Sequence, residues 1–276
     1  MPLRRWCTRC SPPRYRSTTP DHVLHIRRFG AGTDIVALHG FSLTGEQFSP
    51  IAASLDRRVI APDLPGHGLS RTHPTDVDSV TAAIDVLLEG FGKPTPLMGY
   101  SQGGRMALLT AIGDHSNVSD LILVSSNPGI DDSAERELRM ERDHVLADRI
   151  RDIGVEAFID SWTAAGITSL DHLDEAYRVW DSGVRSENSA EGLASALHGY
   201  GQGAQPSVWD EIGNLTMPVL LIVGGLDENY MSINDEMADL IPGAELAVIE
   251  GARHNPLADK PDVTCQAISR FLDRQR

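Results

Sequence analysis

Apolar residues in this chain follow two rhythms, and the border between them divides the sequence. Short apolar runs closed by Gly, Pro, Asn or Asp recur at 34-DIVALHGF-41, 58-RVIAPDL-64, 94-PTPLMGY-100, 120-DLILVSSNPG-129 and 218-PVLLIVGGLD-227. Runs this short, bounded by turn residues, read as strands buried on both faces. Helical spacing lies between them, over Gly45 to Leu55, over Val77 to Phe91 (Val80, Ile84, Leu87 and Leu88 sharing a face) and over Gln102 to Ile112. The stretch 22-HVLHIRRF-29 alternates as an edge strand does. Late in the chain, Ser232 to Ile241 and Pro261 to Asp273 read as helices and 245-ELAVIE-250 as a strand. Strand and helix in alternation predict a mostly parallel sheet with right-handed crossovers.

From about Ile130 to Ser207 no strand-like run appears. Charged, helix-like segments replace it: 132–154, 155–166, 171–183 and 190–201. We expect a helical cap, residues 130–207, inserted into an α/β core made of 21–129 and 208–276. Such a cap would cover the C-terminal strand ends, where open α/β sheets form their sites. His39, Asp63, Ser101, Ser125 and Asp227 all fall at or just past those ends.

Charge narrows the partners. A net charge of −15 argues against nucleic acid and against an anionic membrane surface. No apolar run approaches the ~20 residues that span a bilayer. Residues 1–19 carry five arginines and no acid, with Pro12-Pro13 and few apolar groups. Residues 1–20 are therefore expected to be a disordered basic tail, with a transit peptide or a misassigned start as the other readings. Cys7 and Cys10 form a C-x-x-C without a second pair at zinc spacing, and Cys265 falls in a predicted helix. Three cysteines make no disulfide framework, which fits a reducing cytoplasm.

The chemistry centres on Gly99-Tyr100-Ser101-Gln102-Gly103, a G-x-S-x-G nucleophile elbow between a predicted strand and a predicted helix. The serine sits at the tip of a very sharp turn. Side chains two residues either side would strike the packed strand and helix, so those positions want glycine. Ser101 then lies at a helix N-terminus, where the dipole favours developing negative charge. A serine nucleophile or base needs a histidine, and the histidine an orienting acid. Asp227, in the turn after a late strand, and His254, in 250-EGARHNP-256, are the candidates. His67, after an early strand, reads as a loop residue near the site.

On 39-HGF-41, 63-DLPGHGLS-70, the elbow and the Asp227 and His254 loops, the chain from about residue 22 onward resembles the α/β-hydrolases. The resemblance implies a sheet flanked by helices, a Ser101–His254–Asp227 triad, and an oxyanion hole from the backbone N–H groups of Phe41 and Gln102. Further residues narrow it: Tyr100, Arg105, 127-NPG-129, Arg139, Trp162, 185-RSENSAEGLASAL-197 and 204-AQPSVW-209. These are similar to the 2-succinyl-6-hydroxy-2,4-cyclohexadiene-1-carboxylate synthases, the lyases of menaquinone biosynthesis. That subgroup implies elimination of pyruvate from a polycarboxylate and substrate contacts from Tyr100, Arg105, Arg139, Trp162 and Arg185. Two positions depart from its pattern, Gln102 for a Leu and Arg253 for a Gly. The partner expected is a small anionic molecule, with no metal or organic cofactor, on a monomer or small homo-oligomer. A serine hydrolase (carboxylesterase or carbon–carbon-bond hydrolase) and a non-catalytic binder of the same fold remain open. If Arg139 and Arg185 were only surface charges, their partners would be Glu135, Glu141 or Glu187.

Overall fold

The computed structural model describes residues 24–113, 116–164 and 166–274. The Arg-rich segment, with Cys7 and Cys10, lies outside the described residues. The chain opens with strands β1 (Ile26–Phe29) and β2 (Asp34–Leu38), helix α1 (Ala52–Leu55) and strand β3 (Arg58–Pro62). Helix α2 (Val77–Glu89), strand β4 (Thr95–Tyr100), helix α3 (Gln102–Gly113) and strand β5 (Val118–Val124) follow. Three helices come next: α4 (Ser133–Thr163), α5 (Glu175–Arg185) and α6 (Ala190–Tyr200). Strand β6 (Val219–Gly224), helix α7 (Glu228–Leu240), strand β7 (Glu245–Ile249) and helices α8 (Pro256–Asp259) and α9 (Pro261–Arg274) complete the order.

The seven strands form one sheet in the order β1-β3-β2-β4-β5-β6-β7. Strand β1 runs antiparallel to β3, and the other pairings are parallel. Alternation along each strand builds a core on both faces. Val36 and Leu38 of β2, Leu121 and Leu123 of β5, and Val219 and Leu221 of β6 pack with α2, α3 and α7. Ile35 and Ala37, Ile122 and Val124, and Leu220 and Ile222 pack on the opposite face with α1 and α9. Burial on both faces explains why these strands read as unbroken apolar runs, each large side chain contributing about 1.5–3 kcal/mol. Cys265 of α9 belongs to the second face and is buried. Among the described residues no helix is long and apolar enough to cross a membrane.

The excursion between β5 and β6 has its own small core, where Ala147, Ile150, Phe158 and Ile159 of α4 meet Leu193, Ala194 and Leu197 of α6. Helix α4 is broken at Gly154, whose φ of 79° leaves helical space. Phe41, from the loop after β2, packs against this core and so ties it to the sheet.

Two expectations are corrected. The single helix over Gly45 to Leu55 is a 3₁₀ turn, Gly45–Phe48, followed by the four-residue α1. Pro50 lies between them and supplies no N–H to continue a helical hydrogen-bond ladder. The helix expected from Ser232 begins at Glu228, because Asp227 caps it by accepting from the Tyr230 N–H at 3.4 Å.

At the turn from β4 into α3, Ser101 has φ 50°, the left-handed region. A Cβ on Gly99 would strike the backbone of Gly103 and Gly104, and one on Gly103 the carbonyls of Leu38 and His39. Neither obstacle is a side chain that could swing away. Gly103→Ala should therefore destabilise by about 3–5 kcal/mol or leave the protein insoluble. Gly183→Ala, in α5 with nothing near its added methyl, should instead gain about 0.5–1 kcal/mol from helix propensity. Urea titrations of the two variants check the contrast.

Candidate active site

The elbow presents Ser101 to a histidine delivered by the far end of the chain. Ser101 Oγ lies 3.1 Å from His254 Nε2. On the other side of the ring, His254 Nδ1 is 2.7 Å from Asp227 Oδ2. Asp227 leaves Nδ1 the donor, so Nε2 is free to accept from the serine. Both His254 and Asp227 are buried. Gly224 makes this meeting possible, since a Cβ there would collide with the carbonyls of Ala252 and Arg253. Arg253 itself has no positive φ, so a side chain replaces the usual Gly without backbone strain. The rings of Tyr100 and Tyr230 flank His254 at 5.7 and 4.5 Å between centroids. Tyr230, one turn into α7, carries no sequence signal that would have singled it out.

The loop after β2 is built from buried polar groups. His39 accepts from the Leu64 N–H at 2.8 Å, and His67 accepts from the Ser42 N–H at 3.3 Å. His67 thus braces the loop and is fully buried. Asp63 closes the neighbouring turn, accepting from Arg27 at 2.9 Å, the Gly45 N–H at 2.9 Å and the Leu69 N–H at 3.0 Å. Asn188, from the turn between α5 and α6, donates to the Ser42 carbonyl and accepts from the Gly68 N–H. It was not foreseen, though it lies within the 185–197 stretch. The Phe41 N–H makes no backbone hydrogen bond among the described residues. Gln102 opens α3, so no helical carbonyl precedes its N–H. The Gln102 side chain is buried with no partner for either amide atom among the described residues. That costs about 1–3 kcal/mol, an effect that reasoning from its backbone alone missed.

The arginines form two groups. Arg105 is buried, donating to Gln205 Oε1 at 2.7 Å and to the Tyr200 carbonyl at 3.4 Å, with no carboxylate in contact among the described residues. Desolvation pulls its pKa down to about 10, so it stays cationic at neutral pH. Arg139 lies near enough for its charge to oppose that of Arg105. It donates to Asp143 at 2.8 Å and to Gln202. Arg185 is buried on the Tyr100 side, paired with Asp181 at 2.5 Å and donating to Ser42 Oγ. Neither Arg139 nor Arg185 takes a glutamate partner among the described residues; each pairs with an aspartate one helical turn away. Burial raises the Tyr100 phenol well above its ordinary pKa and keeps it a donor. Trp162 packs edge-on to Phe41 at 5.6 Å and beside Phe158 at 5.4 Å. A cavity of ≈ 560 Å³ lined by Asp131, Trp209, Asp210 and Glu236 includes neither the triad nor these arginines in its lining, and its acids would repel an anion.

A parallel sheet with an elbow serine at its centre, a histidine after the last strand and an aspartate after the one before it defines an α/β-hydrolase. The sequence profile of the Alpha/beta hydrolase family matches residues 35–267, and the chain belongs to that family. Within it, the candidate 2-succinyl-6-hydroxy-2,4-cyclohexadiene-1-carboxylate synthase of Bacillus subtilis (strain 168) is 34% identical over 254 residues, covering 88% of this chain and 91% of that one. The 2-succinyl-6-hydroxy-2,4-cyclohexadiene-1-carboxylate synthase of Serratia proteamaculans (strain 568) is 27% identical over 86% of this chain and 92% of its own length. Among solved structures, MenH from S. aureus superposes with a TM-score of 0.85 at 30% identity, over 91% of this chain and 98% of that one.

The two buried histidines set an acid limit. Desolvation pushes His39 down to about 4 and His67 down to about 3, the latter also repelled by His39. In the unfolded chain both titrate near 6.5. Between pH 6.5 and 4 the unfolded state therefore binds more protons, and stability falls as pH drops. The loss should be on the order of 5 kcal/mol by pH 4.5. Thermal melts from pH 7.5 to 4.5 measure it, and His67→Gln, though less stable at pH 7, should flatten the slope.

Proposed function

We propose that this chain is a lyase that eliminates pyruvate from a cyclohexene polycarboxylate to give 2-succinyl-6-hydroxy-2,4-cyclohexadiene-1-carboxylate in menaquinone biosynthesis. The names of its relatives support the reading, and the observation that carries it is Arg105. A guanidinium buried one turn past Ser101, with only neutral acceptors, is costly unless an anion completes it. An ordinary carboxylesterase wants an apolar acyl pocket there. The product name itself contains two carboxylates, and departing pyruvate supplies a third. Forked arginine donors suit such groups, and local arginines must bind them because the protein's overall charge is negative.

In this mechanism Ser101 acts as a base rather than as a nucleophile. His254 Nε2 takes the hydroxyl proton, and Ser101 Oγ takes a proton from the ring carbon. The released electron pair forms the ring double bond as the carbon–oxygen bond to the pyruvate unit breaks. The leaving enolate takes the proton held by His254, relayed by way of Ser101, and the resulting enol tautomerises to pyruvate. Asp227 stabilises the imidazolium during this interval. The N–H groups of Phe41 and Gln102 hold charge that develops only in the transition state, each worth about 3–4 kcal/mol. Tyr100, Arg105, Arg139, Trp162 and Arg185 hold and orient the substrate, with the excursion of 130–207 serving as the cap over it. The scheme is acid–base chemistry and calls on no metal or organic cofactor. We place the protein in the cytoplasm on its cysteine usage, acting on a small anion and not on nucleic acid.

The deciding assay follows pyruvate release from the pathway intermediate in parallel with p-nitrophenyl ester hydrolysis. Faster ester turnover without pyruvate release would replace the lyase with a carboxylesterase. Ser101→Ala, His254→Ala and Asp227→Asn should each abolish most activity with little change in stability. The Ser101→Ala/His254→Ala double variant should be little worse than either single; multiplicative losses would break the assignment. Arg105→Ala should lower kcat/KM for pyruvate release by roughly one to two orders of magnitude, with Arg105→Lys recovering only part. Any slow ester hydrolysis should be indifferent to that change or improve.

A further inference from the structure

Between the helical excursion and the histidine loop lies a cleft lined by Tyr100, His172, Arg185, Arg253 and Asp259, among others. One of its guanidinium groups is left without a direct ion-pair partner among the described residues. Arg185 is already forked onto Asp181, through Nε at 2.5 Å and NH2 at 3.3 Å. Asp259 sits 2.7 Å from His172 Nε2 and accepts from the Arg253 backbone N–H at 2.6 Å. The Arg253 guanidinium has no ion-pair partner among the described residues and is exposed at the rim. Its backbone is fixed on both sides, by Asp259 on the N–H and by the close approach of its carbonyl to Gly224. The next residue is His254, whose Nε2 faces Ser101.

We propose that Arg253 is a further specificity-determining residue, whose guanidinium takes a carboxylate arm of the substrate at the rim of this cleft, beside Arg185 and Tyr100. The inference rests on the lyase reading. A substrate with carboxylates at both ends needs positive charge on both sides of Ser101. Arg105 and Arg139 form one group, near enough for their charges to oppose each other. In the Tyr100 group, Arg185 is already paired with Asp181, and Arg253 is the guanidinium without an ion-pair partner among the described residues. Tyr100 adds a neutral donor. In a chain of net charge −15, a cation at the mouth also offsets the repulsion an approaching anion meets inside the Debye length of about 8 Å.

The test combines steady-state pyruvate release with calorimetric titration of succinate, the free counterpart of the succinyl arm, into wild type, Arg253→Gln and Arg253→Lys. Arg253→Gln should raise KM by about five- to twentyfold with kcat within twofold, and weaken succinate by a similar factor. Arg253→Lys should recover most of both, because a point charge suffices at an exposed rim. A wild type that releases pyruvate while Arg253→Gln leaves KM and succinate binding unchanged overturns the inference and leaves the lyase reading standing. A fall in kcat at constant KM also overturns it, since Arg253 would then act through His254. A wild type that releases no pyruvate, yet loses succinate affinity in Arg253→Gln, sinks the lyase reading and keeps the rim site.

Discussion

The arrangement depends on two places where backbone meets backbone without a side chain between. At the first, Gly103 of α3 lies against the carbonyls of Leu38 and His39 at the end of β2. This contact brings the loop after β2 beside the N-terminus of α3, where Ser101 sits. At the second, Gly224 at the end of β6 lies against the carbonyls of Ala252 and Arg253. This contact brings His254 to the Asp227 turn. Interiors packed at crystal-like density leave no slack for a methyl group at either point. The spacing of serine, histidine and aspartate therefore follows from sheet packing rather than from flexible side chains finding one another.

Around this frame the charges are unequal in a telling way. Arg139 and Arg185 each keep an aspartate one helical turn away, which fixes the guanidinium and cancels its charge locally. Arg105 has only a side-chain amide and a backbone carbonyl. The fold tolerates the desolvation of that cation one turn past the elbow serine. Tyr100, Tyr230 and Trp162 line the same region with large, rigid surfaces. Asp227 joins the frame to the chemistry: one carboxylate oxygen caps α7 and the other holds His254.

The strands and their places along the chain were legible because each central strand is buried on both faces and leaves a continuous apolar run. The elbow was legible because its glycines answer to local sterics, and Asp227 and His254 because strand ends deliver loop residues to one edge. The helical excursion stood out by the loss of strand rhythm. The start of α7 was missed because the capping residue was read only for its chemistry, and the segment from Gly45 because Pro50 was not weighed. Tyr230, Gln205 and Asn188 owe their places to contacts between segments far apart in the chain, which no local pattern encodes. The partners of Arg139 and Arg185 were likewise not fixed by spacing, since glutamates and aspartates were both within reach. By itself, then, the sequence determined the sheet, the elbow and the candidate residues, all of which follow from periodicity and near-neighbour sterics. Only the tertiary structure decided that Arg105 is buried without a carboxylate while Arg139 and Arg185 are paired, because burial and pairing depend on how distant segments pack.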